Sequence, residues 1–180
     1  MRVLKIFLSI LVILVSTFLV GGFLISDEWV VSRSIFIYAH PQQIYPFISN
    51  FKEWEKWSPW NAKQDATLQY TYQNTKIGKG TKQTWKSEKM GKGWMEFTSM
   101  SPQTGVAYDL YIDMGRSQSI LHGTLSFADE GEGTRVTWTD RGESGKSFIK
   151  RWMNFLIKFM LKKDFDTGLA NLKVLVEKHN

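Results

Sequence analysis

Between residues 67 and 142 the chain alternates in a way that leaves little choice of architecture. Six segments read as strands: TLQYTYQ (67–73), GTKQTWKS (80–87), GWMEFTSM (93–100), GVAYDLYIDM (105–114), SQSILHGTLSFA (117–128) and TRVTWTDRG (134–142). In the fourth, Val106, Tyr108, Leu110, Ile112 and Met114 fall on one face and Asp109, Tyr111 and Asp113 on the other. That period of two is the mark of a half-buried antiparallel strand. The punctuation is glycine: Gly78-Lys79-Gly80, Gly91-Lys92-Gly93 and Glu130-Gly131-Glu132-Gly133. Gaps this short exclude crossover helices, so the segments must form an antiparallel meander.

What flanks the meander is mixed. VVSRSIFIY (30–38) has the β-branched and aromatic content of a further strand. Pro41 then opens a helix carrying Ile44, Phe47 and Ile48, short or kinked because Pro46 falls inside it. FKEWEKWSPWN (51–61) follows, with Trp54, Trp57 and Trp60 among charged residues. These tryptophans suit the corner of an aromatic core; a pocket mouth, a membrane-facing lip and a sugar-stacking platform are the alternatives. From Lys146 to Glu177 there is no proline, and Phe165, Leu169, Leu172 and Val176 repeat as a core-facing helical stripe. Gly168 interrupts this stripe, which predicts close approach to the sheet. The class is α+β, with helices on one face of an antiparallel sheet.

The N-terminus predicts a membrane segment. From Ile6 to Ile25 no residue is charged, and a helix of that length spans about 30 Å, the thickness of a bilayer's hydrocarbon core. Arg2 and Lys5 precede it, and Asp27 and Glu28 follow, so the positive-inside bias puts the N-terminus in the cytoplasm and the domain outside, in the periplasm. Trp29 stands where an interfacial anchor is expected. A cleaved signal peptide is the competing reading, but the apolar run is long for one and lacks an A-x-A-like site. Residues 1–29 are therefore read as anchor and linker, and 30–180 as the domain. The formal charge of +6 belongs wholly to the domain, because residues 1–29 sum to zero. A basic surface favours anionic partners.

Several stretches resemble the START-like (SRPBCC) superfamily, and within it the polyketide cyclase/dehydrase-like branch. They are IFIYAHPQQIYPFISNFKEWEKWSPWN, Gly78-Lys79-Gly80-Thr81 before a strand holding Trp85, Gly133-Thr134-Arg135-Val136-Thr137-Trp138, and the run from Lys163 to Lys173. The resemblance covers residues 30–178. It implies a helix-grip fold, in which about seven curved strands wrap a long C-terminal helix and leave a cavity that commonly takes a hydrophobic ligand. It does not fix an activity. The sequence departs from the branch at Lys86-Ser87-Glu88-Lys89, where relatives tend to have Gly-Asn, so that hairpin tip is expected to differ.

No catalytic constellation is legible. His40, His122 and His179 share no metal-ligand spacing and there is no cysteine, so neither a metal nor a cofactor is expected. Asp109 and Asp113 sit about 13 Å apart along one strand face, too far for a glycosidase pair. His122 reads as a partly buried structural residue. Scattered basic residues and the extracytoplasmic compartment argue against nucleic acid. SFIKRWMNFLIKFMLKKD (147–164) is apolar around most of its circumference and basic elsewhere. It is either gripped by the sheet or laid on anionic lipid. The leading expectation is a membrane-anchored module holding a lipid or other apolar small molecule, lined by Tyr70, Trp85, Trp94, Tyr108, Trp138, Met153, Leu156 and Met160. A cyclase- or hydrolase-type enzyme using the same cavity, and a protein-interaction or envelope-stress module with a filled core, are the alternatives. A protein partner is not specified by the sequence.

Overall fold

A computed structural model describes residues 2–73, 77–115, 117–145 and 147–179. The elements run α1 (Arg2–Leu24), β1 (Glu28–Ile37), α2 (Pro41–Ile48), α3 (Phe51–Trp57), β2 (Gln69–Gln73), β3 (Lys82–Ser87), β4 (Gly91–Ser101), β5 (Gly105–Asp113), β6 (Gln118–Asp129), β7 (Thr134–Glu143) and α4 (Phe148–Glu177). The strands form one seven-stranded sheet in the order β1-β7-β6-β5-β4-β3-β2. Every neighbouring pair is antiparallel. The meander from β2 to β7 is the one the glycine-separated segments predict, and β1 closes the far edge against β7. The expected helix start at Lys146 lies outside the described residues, as does the side chain of Phe148; Ser147 caps α4, accepting from the Lys150 backbone N–H.

One face of the sheet is covered. Alternation sends Val31, Phe97, Tyr108, Leu125, Val136 and Trp138 inward, where all are buried. The stripe Phe165, Leu169, Leu172 and Val176 of α4 meets them, and each of the four is at most 2% exposed. A Cβ on Gly168 would come within 2.8 Å of the Trp138 ring and 3.1 Å of Pro59, so the helix lies on the sheet at the distance its glycine allows. α2 and α3 cap one end. Asn50 accepts from the Lys52 N–H at 3.0 Å to start α3, and α2 ends within eight residues although Pro46 stays on its exposed side.

The tryptophans resolve as the corner of the core. Trp54 and Trp57 are buried, and their indole N–H groups donate to the carbonyls of Ile48 (2.8 Å) and Phe47 (3.0 Å) at the end of α2. Those carbonyls belong to a helix terminus and need donors. Trp138 lies at the centre: it stacks on Phe165 at 4.3 Å and meets Trp54, Trp57 and Trp60 edge-on at 5.4–6.0 Å. Such edge and offset geometries suit aromatic quadrupoles.

One expectation is corrected, and one of the two readings of the first half of α4 falls. Trp29 is no interfacial anchor: β1 begins at Glu28, alternation turns Trp29 inward with Val31, and it is 6% exposed over Gly142. The first half of α4 is not gripped by the sheet. Ile149, Met153, Phe155, Leu156, Phe159 and Met160 are all exposed, because the sheet covers the helix only from about Leu161 onward. That projecting half instead meets α1. Trp152 stacks on Phe18 (5.7 Å) and donates to its carbonyl (3.2 Å), while Gly21 leaves room for the indole. Arg151 donates to the carbonyls of Gly22 and Ile25 and pairs with Asp27 at 3.6 Å.

Candidate ligand cavity

Beside the tryptophan cluster a cavity of about 300 Å³ remains open. Its walls are the inner faces of β2–β7, the α3 turn and Leu161 of α4. The lining is mostly apolar: Phe51, Trp54, Leu68, Trp85, Met95, Leu110, Ile112 and Leu121. Glu55, Lys89 and Met114 are exposed and mark the mouth. Trp85 can lie flat along the wall because its strand partner is Gly93, where a Cβ would run into the indole.

Buried polar side chains interrupt this lining, chief among them Asp140, Tyr108 and Gln83. Asp140 is 1% exposed, and its Oδ1 accepts from the Tyr108 hydroxyl at 2.7 Å. The Tyr108 oxygen in turn accepts from Trp138 Nε1–H at 2.7 Å. The strand partner of Tyr108 on β6 is Gly123; any larger residue there would occupy the space of the Tyr108 ring and crowd Asp140. Burial disfavours the carboxylate and pushes the Asp140 pKa up to about 7, although the Tyr108 hydrogen bond works against the rise. Burial and the nearby carboxylate raise the Tyr108 hydroxyl well above its ordinary value. Gln83, 5% exposed, is the third: among the described residues its Oε1 has no hydrogen-bond partner. Beside it on β2, burial and then the Glu55 charge push Tyr70 up to about 12.

The departure at Lys86-Ser87-Glu88-Lys89 has a structural role. Asp65, buried in the loop before β2, accepts from the Thr67 N–H (2.9 Å) and hydroxyl (2.7 Å), the Ser87 hydroxyl and the Lys89 N–H (3.0 Å). These donors, the Ser87 hydroxyl foremost, hold its carboxyl well below the usual range. The β3–β4 turn, which brings Lys89 and Met90 to the cavity, is thereby fastened to the loop after α3.

Of the eight residues expected to line a cavity, the fold brings Tyr70, Trp85 and Tyr108 to it. Trp138 lies behind the wall, covered by Trp54, Trp57 and Phe165. Trp94 is corrected: alternation places it on the outer face, stacked on Tyr111 (6.0 Å) with the Lys82 ammonium 4.0 Å above its ring. Met153, Leu156 and Met160 are corrected as well, since they belong to the projecting half of α4 and are 47–68% exposed. His122 faces outward and is exposed, bonded to Asp109 at 2.7 Å, so it is neither buried nor near the cavity. Sequence reading missed Asp140 and Gln83. The signal existed: Asp140 continues the inward series Val136, Trp138, and Gln83 shares its face with Trp85. Among the described residues no group of acidic or histidine side chains is arranged to hold a metal.

Solved structures share the architecture. A protein of Thermus thermophilus superposes with a TM-score of 0.59 at 19% identity, over 84% of this chain and 99% of that one. The Aha1 protein of Colwellia psychrerythraea, solved as a dimer, gives 0.58 at 17% identity over 83% and 96%. A Helicobacter pylori protein gives 0.63 at 10% identity over 84% and 89%. At such identities the likeness is one of fold alone. No curated protein sequence matches the chain. The family model described as polyketide cyclase / dehydrase and lipid transport matches residues 28–177, from the first residue of β1 to the last of α4. A seven-stranded sheet closed over a C-terminal helix, with a mostly apolar cavity between them, is thus the form taken here by a member of the polyketide cyclase/dehydrase and lipid transport family.

Proposed function

We propose that this chain is a membrane-tethered module, with α1 as tether and the domain beginning at β1, that holds a lipid or other apolar small molecule between its sheet and its helices. The observation that carries the reading is the cavity itself: about 300 Å³ of mostly apolar space left open next to a core that is otherwise filled by tryptophans. A cavity of that size stands at the lower end of small-molecule sites, and emptying it of water favours an apolar occupant. The same cavity weighs against a purely structural module with a filled core.

The tether has its own support. α1 is 23 residues long, with a mean hydropathy of 2.7 in its most apolar stretch, and that stretch is not buried by the protein. The projecting half of α4 is exposed, apolar and fixed to the C-terminal end of α1 through Arg151 and Trp152. Its basic residues, Lys150, Lys158, Lys162 and Lys163, suit anionic head groups. With α1 crossing the bilayer, N-terminus in the cytoplasm, this half of α4 lies at the outer surface and Leu161 joins it to the cavity wall.

Two measurements test these halves separately. The full chain, released from its membrane and examined by native mass spectrometry, is expected to carry a lipid-sized adduct that is lost in Leu110→Trp, which fills the cavity. An adduct-free protein, or an adduct unchanged in that variant, would overturn the binding reading. For the tether, the full chain is expected to stay in the pellet after alkaline carbonate extraction and the domain to be open to protease added outside the cell membrane. Release by carbonate would overturn it.

One observation favours an enzyme as second reading. Asp140, ionising near neutrality and bonded to the Tyr108 hydroxyl on the cavity wall, has the makings of a general acid or base. A turnover abolished in Asp140→Asn while binding persists would favour it over simple carriage.

A further inference from the structure

The polar part of the cavity wall is one-sided. Tyr70 donates its hydroxyl proton to the Trp60 carbonyl at 2.8 Å, and Tyr108 donates to Asp140 at 2.7 Å. The indole N–H of Trp54 is committed to Ile48 and that of Trp85 to Met90. The Gln83 amide lies within hydrogen-bonding reach of the Tyr70 oxygen through its N–H side. These donors are therefore occupied by the protein's own acceptors. Two acceptors remain underused on the same wall. Among the described residues Gln83 Oε1 is buried with no partner, and the Asp140 carboxyl, 1% exposed, takes a single side-chain donor, Tyr108. A buried carbonyl oxygen without a donor is costly, so native proteins rarely leave one unless something else supplies the proton.

The structure assigns that missing donor to the ligand. We infer that the cavity takes an amphiphile whose buried polar end is a hydrogen-bond donor, an uncharged long-chain alcohol or a long-chain amine, seated on Gln83 Oε1 and Asp140. Carboxylate- and phosphate-ended lipids enter polar end first only against this wall, because they bring more acceptors and a negative charge beside Gln83 Oε1 and the ionised Asp140 carboxylate. The Ser58 hydroxyl, which accepts from the Trp60 backbone N–H, the half-buried indole of Trp60 and the exposed Lys89 at the mouth are the donors an anionic head group would have to use instead. This inference rests on the binding function proposed above and names the class of molecule bound.

The alcohol and the amine share the donor but differ in charge, so they separate the two acceptors. Gln83 Oε1 serves either. Ionised Asp140 adds attraction only for the ammonium group.

The test uses the full chain in phosphatidylcholine nanodiscs, titrated at about pH 8 with four probes of one chain length, so that the acid is charged. They are dodecanol, dodecylamine, dodecanoic acid and dodecyl methyl ether. Tryptophan emission reads the cavity, with empty discs as the partition control. The alcohol and the amine are expected to bind at least about tenfold tighter than the acid and the ether. Gln83→Met, which keeps the side chain's length and removes the acceptor, is expected to bring alcohol and ether to within about threefold of each other while leaving the ether where it was. Asp140→Asn is expected to weaken the amine and not the alcohol. An acid or ether bound as tightly as the alcohol by the unmodified protein overturns the inference and leaves the binding function standing, as does an alcohol preference that survives Gln83→Met. Failure of all four probes to bind overturns both.

Discussion

Asp140→Asn is expected to remove about 4 kcal/mol of pH dependence from the stability of this protein between pH 3.8 and about pH 7. The cause is burial. In the unfolded chain Asp140 loses its proton near its ordinary value of 3.8, whereas in the fold it keeps the proton up to about pH 7. Below the lower value both states are neutral there, and above the higher both are charged. In between, only the unfolded state is ionised, so stability falls as pH rises and then levels. The groups near Asp140 include the hydroxyl of Tyr108, which is bonded to it and stays protonated throughout this window, and at the mouth Glu55 and Lys89. Asp65, Glu130 and Glu177, all held below the ordinary range, contribute in the opposite sense by losing stability as acid is added. The difference between parent and variant isolates Asp140 from them. Asparagine keeps an oxygen for the Tyr108 proton and removes the ionisation. For a chain of this size the expected gap in Tm between the two proteins widens by on the order of 10 °C from pH 4 to pH 8. Parallel Tm curves across that range would show that Asp140 ionises freely and that the cavity wall is wet.

Why Asp140 escapes sequence reading says much about what a sequence holds. The period-two alternation of 105–114 and the glycine gaps specify strands, their hand-over and their inward faces without help from tertiary structure. The i, i+4, i+7, i+11 stripe of α4 and the glycine at 168 likewise encode a helix that packs closely on a sheet. Those are local rules, and the fold obeys them. Trp94 is misplaced by its chemistry: a tryptophan suggests an interior, but its strand parity sends it out, where Lys82 and Tyr111 cover its faces. Parity is the better guide, and the same parity points Asp140 inward with Val136 and Trp138. Met153, Leu156 and Met160 are misplaced for a different reason. Where along α4 the sheet ceases to cover the helix depends on strand lengths and sheet curvature, which no local pattern records. The pairing of α1 with Trp152 and Arg151 joins residues more than 120 positions apart and is legible only in three dimensions.

Trp138→Ala should cost about 3–5 kcal/mol, the range for removing a buried aromatic ring. Three features set the size. The indole is 1% exposed, so its whole surface is transferred from water on folding. Its neighbours are rings, Phe165 stacked at 4.3 Å and Trp54, Trp57 and Trp60 edge-on, and rigid rings collapse poorly into a void. It also donates the hydrogen bond that orients the Tyr108 hydroxyl toward Asp140, so its loss loosens the cavity wall as well as the core. Trp138→Phe separates these contributions: it preserves a ring to stack on Phe165 and deletes the donor, with an expected cost of about 1–3 kcal/mol. Urea unfolding of the full chain in detergent, followed by far-ultraviolet circular dichroism so that the lost fluorophore does not bias the signal, reads both variants against the parent. Equal costs for Ala and Phe would assign the stabilisation to the Tyr108 hydrogen bond. A cost under about 1 kcal/mol for Ala would mean that the ring cluster is not the keystone between sheet and helix that its geometry describes. The expected order, Ala well above Phe, follows from stacking: the contact between Trp138 and Phe165 is where β7 and α4 meet.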